Sequence, residues 1–304
     1  MRDLLRQDKF KAIWLSHSSL TDFLTCQRLY FLKNIYKNEN KRKISLTSPS
    51  AVLGIVIHNV LEKLVAFKSA ERVNQNLLED FQREWKKLKW MTGLKEEVAE
   101  EKIKLRNLEA KGEGIMKSLM ADFKILRNKT IAEQDFYQGS LVPNFYLNEN
   151  ENIILCGKLD WIEYDEQKKE LIVIDFKTGE REEREDSRQL LIYKILLDNL
   201  QQKWKVSGLG KYWYLEKNKI QEKILDQNLL EKTKKEILEI GIAIREKRFK
   251  WQEGIGWVNL SKAEDNFQKT CQRNNCDCWR YEKILAGEGE YLGIDIYDKD
   301  LYKI

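Results

Sequence analysis

A chain of 304 residues with 42% hydrophobic side chains can bury one large core or two small ones. Charged side chains make up 34% and only 2 prolines are present (Pro49 and Pro143), which favours helix-rich structure with few rigid linkers, while a net charge of +5 permits a polyanionic partner without requiring one. No apolar run approaches a membrane span and the opening Met1 to Lys9 is no signal peptide, so a cytoplasmic, reducing compartment is expected, with the 5 cysteines as thiols or metal ligands.

In chain order, Leu15 to Ile35 reads as a helix capped by one of the early serines, with Leu20, Phe23, Leu24 and Tyr30 on its apolar side. A basic loop, Lys41-Arg42-Lys43, leads to a second helix from about Ser50 to Phe67. Ala70 to Lys129 is helical, charged and tryptophan-bearing (Trp85, Trp90), with expected breaks near Gly93 and Gly112; it reads as an insertion laid over the core. Strands are expected from Ile131 to Phe136 and from Leu141 to Leu147. Ile153 to Ile162 and Leu171 to Phe176 are β-branched and apolar on both faces, as in buried strands, and the polar Asp165 to Lys169 between them makes a hairpin turn. Ser187 to Leu200 is an apolar helix, Lys211 to Leu215 a strand, and Ile220 to Leu225 a weaker strand pattern. Leu229 to Lys250 is a charged amphipathic helix, after which comes a tail that carries cysteines. This order is that of an α/β protein with a mixed sheet.

Folding the hairpin at Asp165 to Lys169 brings Asp160 opposite Asp175, and strand alternation puts Lys177 on the side of Asp175. Two converging carboxylates call for a cation, and hard oxygen ligands suit Mg²⁺ or Mn²⁺. Gln189 and Tyr193, four apart, share one helix face. His58, alone on an apolar helix, reads in isolation as a core histidine, and Glu62, one turn further on, as a solvated glutamate. Cys271-x4-Cys276-x-Cys278 is too dense to be core filler, whereas Cys156 reads as a small buried hydrophobe. Lys41-Arg42-Lys43 and Arg245, Lys247 and Arg248 are candidate phosphate contacts, although such runs are commonly solvated helix faces.

Five elements recur in order: Ser16 to Leu20 leading into Cys26-Gln27-Arg28-Leu29-Tyr30; Gly54-x-x-x-His58; Asp160; Ile174-Asp175-Phe176-Lys177 with Gln189 and Tyr193; and the C-terminal cysteines. From Leu15 to about Tyr281 this set resembles the PD-(D/E)XK nucleases in their RecB-like branch, which includes CRISPR-associated exonucleases. The resemblance implies a restriction-endonuclease-like mixed sheet flanked by helices, forming a single domain over residues 1–304. Within it lie a helical insertion at 70–130, a catalytic core at 131–200 and a cysteine segment at 261–281.

The resemblance also implies a metal-dependent deoxyribonuclease, an exonuclease acting on single-stranded DNA ends in repair, recombination or CRISPR-type processing. Its partners would be DNA and a helicase or CRISPR integration complex. His58, Asp160 and Asp175 would hold the Mg²⁺ or Mn²⁺ ion, with Lys177 stabilising charge on the phosphate and Gln189 and Tyr193 assisting. Glu133 matches an acidic strand position before the first carboxylate, and Glu62 is a candidate partner of His58; both would be accessories. Cys26, Cys271, Cys276 and Cys278 would bind a [4Fe–4S] cluster. Their spacing departs from the family's usual pattern, which leaves a structural Zn²⁺ as the alternative. The contrasting functional class is a non-cleaving DNA-binding scaffold subunit of a helicase–nuclease complex, against which stands the presence of every catalytic position in one chain.

Overall fold

The computed structural model describes residues 12–36, 43, 49–92, 99–122, 125–139, 141–179, 188–201, 203–248, 276, 278 and 281. A short strand, β1 (Ile13–Leu15), precedes Ser16, whose hydroxyl accepts the Ser19 N–H while the Ser19 hydroxyl accepts the Ser16 N–H. That reciprocal cap starts α1 (His17–Thr25) where the early serines predict it. The expected helix to Ile35 is not continuous. Cys26 takes an extended conformation (φ −163°, ψ 119°), and the chain resumes as α2 (Gln27–Tyr30) and a π-turn (Phe31–Ile35).

Among the described residues, two mixed sheets replace the single sheet expected. In the first, β3 (Ile153–Cys156) lies between β1, parallel to it, and β2 (Asn144–Asn148), antiparallel. The second has the order β4 (Trp161–Asp165), β5 (Glu170–Lys177), β6 (Lys205–Tyr214), β7 (Lys219–Ile224), with β5 and β6 parallel and both outer pairs antiparallel. The predicted strand from Ile153 to Ile162 is therefore two strands in two sheets. At Gly157 the chain leaves the first sheet, its N–H bonded to Pro143 O at 3.0 Å. The hairpin turn does fall at Asp165 to Lys169, where Asp165 Oδ1 accepts the N–H groups of Gln167 and Lys168. The strand expected from Ile131 to Phe136 is instead an isolated bridge, Thr130 to Glu163, followed by a 3₁₀ turn over Glu133–Asp135.

A parallel pair needs a crossover, and α6 (Gln189–Leu200) supplies it between β5 and β6. Alternation along β5 then assigns its faces. Leu171 and Val173 share a core with Leu190, Leu191 and Tyr193 of α6, while Ile172, Ile174 and Phe176 share another with α3 (Pro49–Lys63), α4 (Leu77–Thr92) and α5 (Ala99–Ala121). A long helix after β7, α7 (Gln227–Arg248), packs on β1 and α6. None of the described helices is long and apolar enough to cross a membrane.

Gly112 does not break a helix, as its residue type suggests, but lies within α5. A Cβ there would overlap the ring of Phe81, which is fully buried, and press on Leu53. Glycine serves close approach between α5, α4 and α3. Gly112→Ala is expected to destabilise the chain by about 1–3 kcal/mol despite alanine's better helix propensity. A urea midpoint equal to or above that of the wild type would refute that packing role.

Arg72, only 2% exposed, fastens the chain at Leu64 and Phe67 to the chain at Leu126 to Thr130, on either side of α4 and α5. Its guanidinium donates to the carbonyls of Leu64, Phe67, Leu126 and Asn128 and to the Thr130 hydroxyl, and lies 5.0 Å over the Trp161 ring. Trp161 opens β4, so this neck is fixed directly onto the hairpin.

Candidate active site

The C-terminal end of β5 is flanked by α3 on one face and the N-terminus of α6 on the other. Register Trp161↔Ile174 continues outward to put Asp160 beside Asp175, and Asp160 Oδ2 accepts the Phe176 N–H at 2.9 Å. His58, from α3, meets the other oxygen: Nδ1 lies 3.1 Å from Asp160 Oδ1. Its ring stands edge-on to Phe176, with centroids 5.7 Å apart. Gly54 lies one turn earlier on α3, where a Cβ would come 3.3 Å from Thr178 Oγ1. The Gly-x-x-x-His spacing thus lets the helix approach the end of β5 with its imidazole aimed at Asp160.

Asp175 is 1% exposed. Gln189 Nε2 donates to its Oδ1 at 2.5 Å and also to Tyr193 Oη at 2.9 Å, while Gln189 Oε1 accepts from Lys177 Nζ at 2.7 Å. One amide therefore ties the carboxylate, the lysine and the tyrosine together. Lys177 Nζ is 2.9 Å from Asp175 Oδ2, a contact of charge rather than direction, since that oxygen takes no well-directed hydrogen bond among the described residues. The Tyr212 ring, 5.3 Å from Lys177 Nζ, faces the same ammonium from β6.

Burial, and then the charge of Asp160, push the Asp175 carboxyl up to about 7, against the pull of Lys177. Asp160 moves the other way. Burial opposes its charge, but the hydrogen bond and charge of His58 and the Phe176 N–H hold it below the usual carboxylate range. Burial likewise works against the His58 cation, yet Asp160 raises that imidazole overall. Tyr193 is driven well above an ordinary phenol by burial and by both aspartates.

The remaining candidates fall around this centre. Glu62 is closer to it than a solvated glutamate would be: donor atoms of His58, Glu62 and Asp160 all lie within 4.8 Å of one another. Lys158, not singled out from sequence, pairs with Glu62 at 2.6 Å. Glu133 sits in the 3₁₀ turn, not on a strand. It lines a cavity of about 230 Å³ with Glu62, Lys158 and Asp160, and burial raises its carboxyl. Tyr212 also went unmarked in the sequence; its pairing with Asp175 across β5 and β6 is a matter of tertiary register.

One imidazole and oxygen donors in this density fit a hard divalent ion, and the buried Asp175 with an unsatisfied oxygen is the group that such a charge would compensate. Of the basic patches, Lys41 and Arg42 lie outside the described residues, as do the side chains of Lys247 and Arg248. Arg245 is paired with Glu151. Cys156 is a buried thiol, pushed up to about 11 by burial. Cys271 lies outside the described residues, whereas Cys26, Cys276 and Cys278 converge at a second place in the structure.

The sequence model of the PD-(D/E)XK nuclease superfamily matches residues 14–280. No curated protein matches the chain. Two mixed sheets flanked by helices are consistent with the restriction-endonuclease-like fold of that superfamily.

Proposed function

The chain belongs to the PD-(D/E)XK nuclease superfamily, and from that premise we propose that it is a divalent-metal-dependent exonuclease acting on single-stranded DNA ends. The observation that carries the catalytic part is the arrangement at the end of β5, where Asp175, Lys177 and Gln189 are linked side chain to side chain, Asp160 is held beside them by the Phe176 N–H, and His58 closes the group from α3. His58, Asp160 and Asp175 would hold the Mg²⁺ or Mn²⁺ ion, with Glu62 as a further donor. When bound, such an ion polarises the scissile phosphate and makes water acidic enough to attack.

The chain's own residues do the rest. Lys177 has three donors and no acceptor, and its contacts with Asp175, Gln189 and the Tyr212 face hold it as a fixed cation. That suits it to stabilise charge growing on a phosphate oxygen rather than to take a proton. Gln189 fixes Lys177 and Asp175 relative to each other, and Tyr193 fixes Gln189. Glu133 and Lys158 are accessories on the side of the cavity. The process served would be repair, recombination or CRISPR-type processing in the cytoplasm, beside a helicase or an integration complex. The cysteines add a structural metal, a [4Fe–4S] cluster or a zinc ion, joining the N-terminal helices to the C-terminal segment.

The test is a nuclease assay on single- and double-stranded DNA, with free or blocked ends, in Mg²⁺, Mn²⁺ or chelator. Metal-dependent loss of nucleotides from free single-stranded ends is expected. Tight DNA binding with no cleavage in either metal would leave the scaffold reading in its place. Lys177→Ala is expected to lower kcat by roughly 10²–10³-fold while changing DNA affinity little, because its interaction strengthens as charge develops. A variant that turns over at the wild-type rate but binds DNA weakly would make Lys177 a phosphate anchor instead.

A further inference from the structure

Cys26, Cys276 and Cys278 come from opposite ends of the sequence, yet their sulfur atoms all lie within 4.8 Å of one another. They are 8%, 5% and 1% exposed, inside the same apolar core as Tyr30 and Tyr281. The break between α1 and α2 puts Cys26 there: its extended backbone interrupts the helix at the one residue that joins this cluster.

We infer that these thiols supply three of the four ligands of a single Zn²⁺ ion and are not the corners of an iron–sulfur cubane. The inference rests on the proposal that the cysteines bind a structural metal, and it decides which metal. In a [4Fe–4S] cluster each thiolate binds a different iron, so the sulfur atoms are separated by the width of the cube and stand about 6 Å apart. Thiolates sharing one zinc, with Zn–S bonds of about 2.3 Å, are only about 3.8 Å apart. Three mutual separations below 4.8 Å belong to the second case. A [2Fe–2S] cluster fits no better. Two of its thiolates share an iron, but a third must reach the other iron and lies far from both.

Burial then assigns the role. Three protein ligands with an open fourth position would allow catalysis, but sulfur atoms sealed in an apolar core admit no substrate. Gathering thiolates there is costly without a cation, and zinc binding that releases their protons supplies folding free energy directly. The ion would therefore tether the C-terminal segment to the junction of α1 and α2.

The deciding experiment uses the full chain, expressed with both iron and zinc supplied and purified without oxygen. Zinc, iron and acid-labile sulfide are then measured per chain. We expect a colourless protein with about one thiolate-bound zinc and no iron or sulfide. Exchange with Co²⁺ should produce thiolate-to-cobalt charge-transfer absorption. Cys278→Ser should lose that absorption, while Asp175→Ala, altered only at the other site, should keep it. Iron with sulfide, iron alone, or no metal at the cysteines would each overturn the inference. Because the wild-type analysis decides the matter, a Cys278→Ser chain that fails to fold leaves it intact. Loss of DNA cleavage with zinc still in place would count against the nuclease reading and not against this one.

Discussion

Asp175→Ala is expected to lower Mg²⁺- or Mn²⁺-dependent DNA cleavage by roughly 10³-fold or more, with the protein still folded. The carboxylate is 1% exposed and pushed up to about 7 by burial and by Asp160, so the folded chain holds this group against its own preference. Removing it takes away a candidate metal ligand and, with it, the partner of both Lys177 and Gln189. Stability should move the other way. With the buried acid gone, the variant in chelator at neutral pH is expected to melt no lower than the wild type, since Lys177 and Gln189 only partly offset the burial of that carboxylate, which stays raised to about 7. Asp175→Asn, which keeps the shape, should lose cleavage too. Circular dichroism and a gel assay suffice, and a folded alanine variant cutting at the wild-type rate would sink the assignment of this centre.

Arg72→Met should cost about 2–4 kcal/mol of stability, because buried carbonyls lose a charged donor. Methionine matches much of the arginine stem, so the effect isolates the guanidinium. The carbonyls of Leu64 and Leu126 would lose their donor in buried positions, those of Phe67 and Asn128 would lose it beside a cavity of about 680 Å³, and the Trp161 face would lose its cation. Arg72→Lys should recover only part of the loss, because an ammonium cannot reproduce the planar fork that meets carbonyls on both sides. Urea unfolding measures the total, and hydrogen exchange should show the amides of α4 and α5 weakened first. A loss below about 1 kcal/mol, the range of an ordinary surface change, would mean that the neck is held by something else.

How far the sequence reveals this protein depends on whether a feature is set locally. The β4–β5 hairpin is legible because its strands are apolar and β-branched and its turn is polar. Asp160, Asp175 and Lys177 follow from alternation once that turn is placed. The division at Gly157 is not legible, because Ile153 to Cys156 and Trp161 to Ile162 look alike and only packing sends them to different sheets. The first half of β6 hides behind Gly208 and Gly210, residues that weaken a strand pattern; Gly210 sits where β5 and β6 shift register, against Leu225, Leu190 and Val173. Gly112 misleads for the same reason, since its role is set by Phe81 some thirty positions away. Glu62 reads only as an accessory and Lys158 carries no signal, because their pairing crosses between α3 and the link before β4. Their residue types alone favour solvent.

The clasp at Arg72 also bears on how such a chain can change over generations. The excursion through α4 and α5 sets out near Arg72 and comes back at Leu126 to Thr130, and one guanidinium grips both sides of that gap. Departure and return are closed locally, so the entropy of closing the branch depends only weakly on how many residues lie beyond the grip. The branch is therefore a place where length and surface can drift while the route of the main chain through the hairpin stays the same. What constrains the drift is α3, which lends one side to the branch and carries His58 on its way to Asp160. Ancestry can remodel the far end freely, but the turns of α4 and α5 that lean on α3 inherit the geometry of the site.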